Sequence, residues 1–228
     1  MKLTCCYKFI VLVAGLFLAV QSTARAQISD AGLWLSAGVE ARLHKKVTLS
    51  IAEELRFNEN ITELGTAFTD VGLEYKLSKK FKASANFRLA QKRRLDDSYQ
   101  LQHRFYLDLK YDQKVKPFKL QLRTRFQDNY SDFGSASESQ QEGYILRNRL
   151  SLQWDTNRKL EPYLKLEFFT PLSIPFPYFT SEIRYVGGVE YSISKKHKLD
   201  FYYLINNEIN ASNPETDYVS GIGYSYQF

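Results

Sequence analysis

Residues 218–228 read YVSGIGYSYQF, and no other stretch restricts the fold as tightly. The even-numbered positions (Tyr218, Ser220, Ile222, Tyr224, Tyr226, Phe228) are mostly aromatic or apolar. The odd-numbered ones (Val219, Gly221, Gly223, Ser225, Gln227) are small or polar. A two-residue period is that of a β-strand with two unlike faces. No acid or base falls within the stretch or follows it.

Ten further segments alternate in the same way, at about 30–42, 47–58, 66–77, 81–92, 99–111, 117–128, 144–154, 160–169, 181–193 and 198–209. In the sixth, Phe118, Leu120, Leu122 and Phe126 share one face, and Lys119, Gln121, Arg123, Arg125 and Gln127 the other. Each segment is near the ~9–11 residues that a tilted strand needs to cross a bilayer. The connections alternate between short basic turns, such as His44-Lys45-Lys46 and Ser78-Lys79-Lys80, and longer polar links, such as 129–143 and 170–180. Short turns at one mouth and longer loops at the other are the pattern of a transmembrane barrel. A soluble two-sheet sandwich also alternates and is the competing fold. The fold class expected is all-β, a transmembrane antiparallel barrel of about 10–12 strands. Eleven is an awkward count, because single-chain bacterial barrels have even strand numbers. The first segment is the one most open to question.

The N-terminus supplies a compartment. Lys2 and Lys8 precede an apolar run from Phe9 to Val20, and Ala24-Arg25-Ala26 is a small-x-small cleavage site. That layout predicts a secretory signal peptide over residues 1–26, cut after Ala26. The expected domains are this signal and a barrel over 27–228, so the localisation is the outer membrane. Cys5 and Cys6 leave with the signal, so disulfides, thiol chemistry and cysteine metal sites are excluded from the mature chain. Lys2, Lys8 and Arg25 leave too. The 31 basic residues fall to 28 against 25 acids, a net charge of +3. That balance excludes a nucleic-acid footprint. Outer-membrane lipid is the expected partner, and no cofactor or metal is indicated.

Asp30-Ala31-Gly32-Leu33-Trp34, Glu54-Leu55-Arg56-Phe57 and the final Gly221-x-Gly223-Tyr224-x-Tyr226-x-Phe228 resemble an uncharacterised family of outer-membrane β-barrels common in Bacteroidetes-type bacteria. That family is a domain of unknown function. The resemblance implies a fold and a compartment, and brings no site residues. The closing strand also resembles those of bacterial outer-membrane barrels, which implies that Tyr224, Tyr226 and Phe228 form a signal for the barrel-assembly machinery.

Few residues carry recognisable chemistry. No H-E-x-x-H, G-x-S-x-G or phosphate-cradling glycine loop is present. His44 and His197 fall in solvated basic turns. His103 shares a face with Leu101, Phe105, Leu107 and Leu109, so it points outward. A hairpin turning at Gln113–Lys114 sets His103 opposite Thr124, and the next connection brings Thr124 to Asn148. The trio His103, Thr124 and Asn148 resembles the outward-facing site of outer-membrane phospholipase, although that family uses Ser. The competing assignment is a polar patch at headgroup level.

The lumen face is richer. Its fourth to seventh strands carry Lys82, Arg88, Lys92, Arg104, Lys110, Lys119, Arg123, Arg125, Arg147 and Arg149, against Asp108 alone. Reflection about each connection aligns Arg88, Arg104, Arg123 and Arg149 as one basic row, with Asp70 near one end and Glu167 near the other. Asp70, Glu167, Glu182 and Glu190 form an acidic counter-wall. Four side-by-side guanidiniums need water, carboxylates or an anion. These charges serve either a wet constriction that passes or binds small polar or anionic solutes, or a cross-linked interior that closes the barrel. Between them lies a porin-like role, a binding barrel or a non-conducting structural barrel, with a lipid-directed hydrolase as the third reading. A non-enzymatic role is favoured. The loop 171–179, PLSIPFPYF, is stiffened by three prolines and reads as a rigid lid on the rim.

Overall fold

The computed structural model describes residues 28–131, 143–156, 158–172 and 179–228. The expected signal peptide and most of the loop 171–179 lie outside them. Among the described residues are eleven strands: β1 (Ile28–His44), β2 (Val47–Asn58), β3 (Glu63–Lys76), β4 (Phe81–Arg93), β5 (Tyr99–Val115), β6 (Phe118–Ser131), β7 (Gly143–Trp154), β8 (Leu160–Pro171), β9 (Glu182–Ser192), β10 (His197–Glu208) and β11 (Glu215–Gln227). All eleven segments read from alternation are strands. They close into one barrel.

Odd strand number is resolved at the seam. Ten neighbouring pairs are antiparallel, and β1 pairs with β11 in parallel, Ile28 opposite Glu215 through Glu40 opposite Gln227. The first segment is therefore a full strand. Its start lies at the mouth carrying the longer connections, where the Asp30 carboxylate accepts from the backbone amides of Glu59 and Asn60 at 2.9 and 2.8 Å. The end of β11 lies at the short-turn mouth, where the Phe228 amide donates to Glu40 at 2.8 Å.

The barrel is inside out relative to a soluble core. Along β5, Phe105, Leu107 and Leu109 are 53%, 59% and 49% exposed, while the intervening Tyr106 and Asp108 are 6% and 5% exposed. An apolar outer face and a polar lumen are a transmembrane barrel's division, opposite to a sandwich's.

The strands are steeply inclined. Hydrogen-bonded partners followed from Glu40, near the short-turn end of β1, run through Ser50, Gly72, Asn86, Tyr106, Gln127 and Ile145 to Pro171. Pro171 is at the other mouth, at the end of β8. Such stagger corresponds to a tilt of roughly 40°.

One hairpin differs from the sequence expectation. β5 continues to Val115, and the turn is Lys116–Pro117, with Val115 opposite Phe118. Asp112, Gln113 and Lys114 look like turn residues by composition. They instead extend the alternation of β5, and the register across β5 and β6 moves by six residues.

Two glycines give lumen aromatics a flat surface. A Cβ on Gly221 would fall within the Tyr202 ring, and one on Gly188 would meet the Tyr163 ring and lie 2.8 Å from the Phe201 carbonyl oxygen. Gly221→Val should therefore lower the unfolding temperature through an overpacking penalty of ~1–3 kcal/mol. Ser220→Val, on the exposed face of the same strand, should leave it unchanged. Loss of the heat-modifiable gel band on warming checks both.

Candidate functional site

At mid-depth the lumen is lined by arginines laid against aromatic rings. From β4 round to β7 the order is Arg88, Phe68, Arg56, Trp34, Arg184, Phe169 and Arg147. Successive guanidinium-to-ring distances are 3.6, 4.9, 3.7, 5.4, 4.8 and 4.2 Å. The Trp34–Arg184 step passes β11 and β10, joining strands that are not neighbours in the wall. Arg125 rests on Tyr106 at 3.8 Å. A guanidinium over a ring face gains about 2 kcal/mol when desolvated. The ring also takes a planar cation without needing a carboxylate for each one.

Carboxylates knit the same layer. Arg88 donates Nε to Asp70 at 3.0 Å, and the Tyr106 hydroxyl donates to the same carboxylate at 2.9 Å. Arg125 holds Asp108 by two bonds, of 2.7 and 2.8 Å. Glu167 is shared by Arg123 and Arg147, the latter donating Nε at 3.0 Å. Arg56 donates to Glu54 at 2.6 Å and Arg184 to Glu182 at 2.8 Å. Lysines work nearer the short turns. Lys110 meets Glu74 at 2.8 Å, Lys119 meets Glu161 at 2.9 Å and Lys198 meets Glu190 at 2.7 Å.

The basic row divides in two. Arg88 pairs with Arg104, with Asp70 beside Arg88, and Arg123 pairs with Arg149, with Glu167 beside Arg149. Each half has the register expected of it. The halves are not level, because in the register of β5 and β6 position 129 is opposite Arg104 and Lys110 is opposite Arg123. The longer β5 causes this slip. All four residues of the acidic counter-wall, Asp70, Glu167, Glu182 and Glu190, bind lumen cations.

The outward trio is separated by the same slip. Thr124 and Asn148 are opposite one another, the Thr124 hydroxyl donating to Asn148 Oδ1 at 2.9 Å. His103 stands opposite Tyr130, six residues from Thr124 along β6. The three residues are not brought together. At the short-turn edge, Tyr226 meets Phe228 edge-on at 4.6 Å and the Tyr224 hydroxyl lies 2.7 Å from His197 Nδ1.

Sequence reasoning missed Trp34, Phe68 and Phe169, which complete the layer. The available signal was parity: each is an aromatic on the polar face of its strand. Glu167 is the layer's most heavily shared acid and is 5% exposed. Glu167→Gln should cost about 3–5 kcal/mol, the penalty for stranding a buried ion-pair partner. Thermal unfolding in detergent checks it, with Glu161→Gln near the open mouth expected to cost less.

Among solved structures, the chain is similar to the beta domain of the Bordetella autotransporter BrkA. Identity is 11%, 78% of this chain and 82% of that chain are covered, and the TM-score is 0.41. Comparison with curated proteins gives no match. A family model described as "Protein of unknown function (DUF2490)" matches residues 31–217, which include ten strands in full or in large part and all of the lumen layer, and the chain belongs to that family.

Proposed function

We propose that this protein is an outer-membrane barrel that binds a small anionic solute in a lumen closed to free passage. The arginine–aromatic layer carries the proposal. Its members contact one another across the lumen, and Arg125, Arg147 and Glu167 are each under a tenth exposed. Eleven strands fall between eight, which side chains just fill, and the sixteen or more of open porins. A width of that order can hold a small ligand without conducting ions.

The exposed apolar outer face supports membrane insertion, as does a closed wall with no free strand edge. An export signal cut after Ala26 would deliver the chain to the periplasm. Tyr224, Tyr226 and Phe228, at the short-turn end of the last strand, are suited to recognition by the assembly machinery. No catalytic step is assigned, since His103 and Thr124 stand apart.

Two measurements test the proposal. Purified protein in planar bilayers should show no steady conductance above bare membrane. A stable ohmic channel would replace binding barrel with pore. In intact cells, a Ser29→Cys variant should react with a membrane-impermeant thiol reagent, and a Lys195→Cys variant only after the membrane is broken. Equal labelling of both in intact cells would remove the spanning orientation.

A further inference from the structure

On the short-turn side of the arginine–aromatic layer, three adjacent strands bring cationic and hydroxyl groups together. Arg123 on β6 is opposite Arg149 on β7, and Ser151 on β7 is opposite Lys165 on β8. All four face the lumen by strand parity. Neighbouring strands are about 4.8 Å apart, so their side-chain heads reach a common space.

These groups are short of acceptors. Arg123 gives its Nη2 to Glu167, but its buried Nε has no partner. Arg149 donates Nη2 to Gln121 Oε1 at 3.2 Å, and its buried Nε is likewise unpaired. The Ser151 hydroxyl, 8% exposed as a residue, has no partner either. Among the described residues Lys165 makes no ion pair, and its ammonium lies 3.9 Å from the centre of the Tyr163 ring.

The nearby acids are fewer than the cations. Asp108 is held by Arg125, Asp200 accepts the Tyr163 hydroxyl at 2.8 Å, and Glu167 serves Arg123 and Arg147 together. Asp200 also acts on Lys165, so Arg123, Arg125, Arg147, Arg149 and Lys165 face Asp108, Glu167 and Asp200, five cations against three carboxylates. Arginine keeps its proton at neutral pH, so the excess charge remains. Buried charge without a partner is strongly disfavoured, and an unsatisfied buried donor adds to that penalty.

We infer that Arg123, Arg149, Ser151 and Lys165 form a binding site for a tetrahedral oxyanion, either free phosphate or sulfate or the phosphate group of a monoester. The inference rests on the binding-barrel reading and gives its ligand class. Two guanidinium edges, an ammonium and a hydroxyl supply donors from separate directions, which suits an anion with several oxygens. A dianion also offsets more of the excess charge than a halide does. Ser151 is three residues from the short-turn end of β7, so the site is reached from that mouth. Arg147 stacked on Phe169 bounds it on the other side.

The test is thermal unfolding of the full-length protein in detergent at low ionic strength. Inorganic phosphate, sulfate and glycerol phosphate are titrated separately, with sodium chloride at matched ionic strength as control. A saturable rise in unfolding temperature is expected with the oxyanions and none with chloride. A response to free phosphate and sulfate assigns a free ion, and a response to glycerol phosphate alone assigns a monoester. Arg149→Gln and Lys165→Gln should each weaken the apparent affinity at least tenfold, while Lys198→Gln retains it. Ser151→Asp places a carboxylate in the site, so that variant should be more stable without ligand and lose the phosphate response. The inference is overturned by a wild type with no saturable response, or by responses unchanged in Arg149→Gln, Lys165→Gln and Ser151→Asp. If the wild type neither responds nor conducts, a closed barrel stands without this ligand. If it conducts and still binds phosphate, the site stands and the closed lumen does not.

Discussion

A sheet whose two edges are both satisfied is the condition on which the rest of this structure depends. With antiparallel neighbours and eleven strands, the first and last strands run the same way, so closure requires a parallel seam. That seam pairs thirteen residues of β1 and β11 and leaves no row of unpaired amides and carbonyls along the wall. Such a row is intolerable in hydrocarbon and a hazard in water. Closure also fixes which side of each strand faces in. The pleat must agree around the circuit, and every inward charge then inherits its neighbours from register.

The second constraint is desolvation of the inward cations. Arg56, Arg88, Arg125, Arg147 and Arg184 occupy the middle of the barrel and Lys82, Lys110, Lys119 and Lys198 lie towards its short-turn end, and the chemistry of the two explains the division. Lysine's ammonium is compact and strongly hydrated, so Lys82, Lys110, Lys119 and Lys198 stay near the wetter mouth with carboxylates within reach. Guanidinium is planar and weakly hydrated, and can lay its face against Trp34, Phe68 or Phe169 while its edge holds a carboxylate. The ring faces replace part of the lost hydration without the repulsion that further acids on one level would bring.

Alternation made the strands legible before any coordinates. Tyr218, Ser220, Ile222 and Tyr224 of β11 are exposed and Val219, Gly221 and Gly223 are buried, as their sizes imply. Pairings set by the neighbouring connections were also legible, among them Arg88 with Arg104 and Arg123 with Arg149. What failed was one hairpin. Asp112, Gln113 and Lys114 are polar enough to pass for a turn, yet a lumen strand can be polar on its inner face and carry Gln113 outward near the rim. Lys116–Pro117 could have been preferred, since proline cannot donate to a ladder. The arginine–aromatic layer was hidden for another reason. Apolar periodicity assigns rings to the outer face, so Trp34, Phe68 and Phe169 look like exceptions until their arginine partners are placed.

The parallel seam has a consequence for how such a barrel can change in size. Hairpins are the natural unit of growth or loss for antiparallel walls, and each alters the strand number by two. An eleven-strand barrel enlarged or trimmed in this way becomes thirteen or nine, and its seam remains parallel. Passing to an even number means gaining or losing a single strand, which carries one chain end to the opposite mouth and makes the seam antiparallel. Parity of this kind behaves as an inherited topological label, stable against the commonest insertions and costly to erase. Joining the barrel's own ends would likewise require a linker as long as the wall is tall, and a permuted version would have to carry that linker past the lumen residues Arg56 and Phe68.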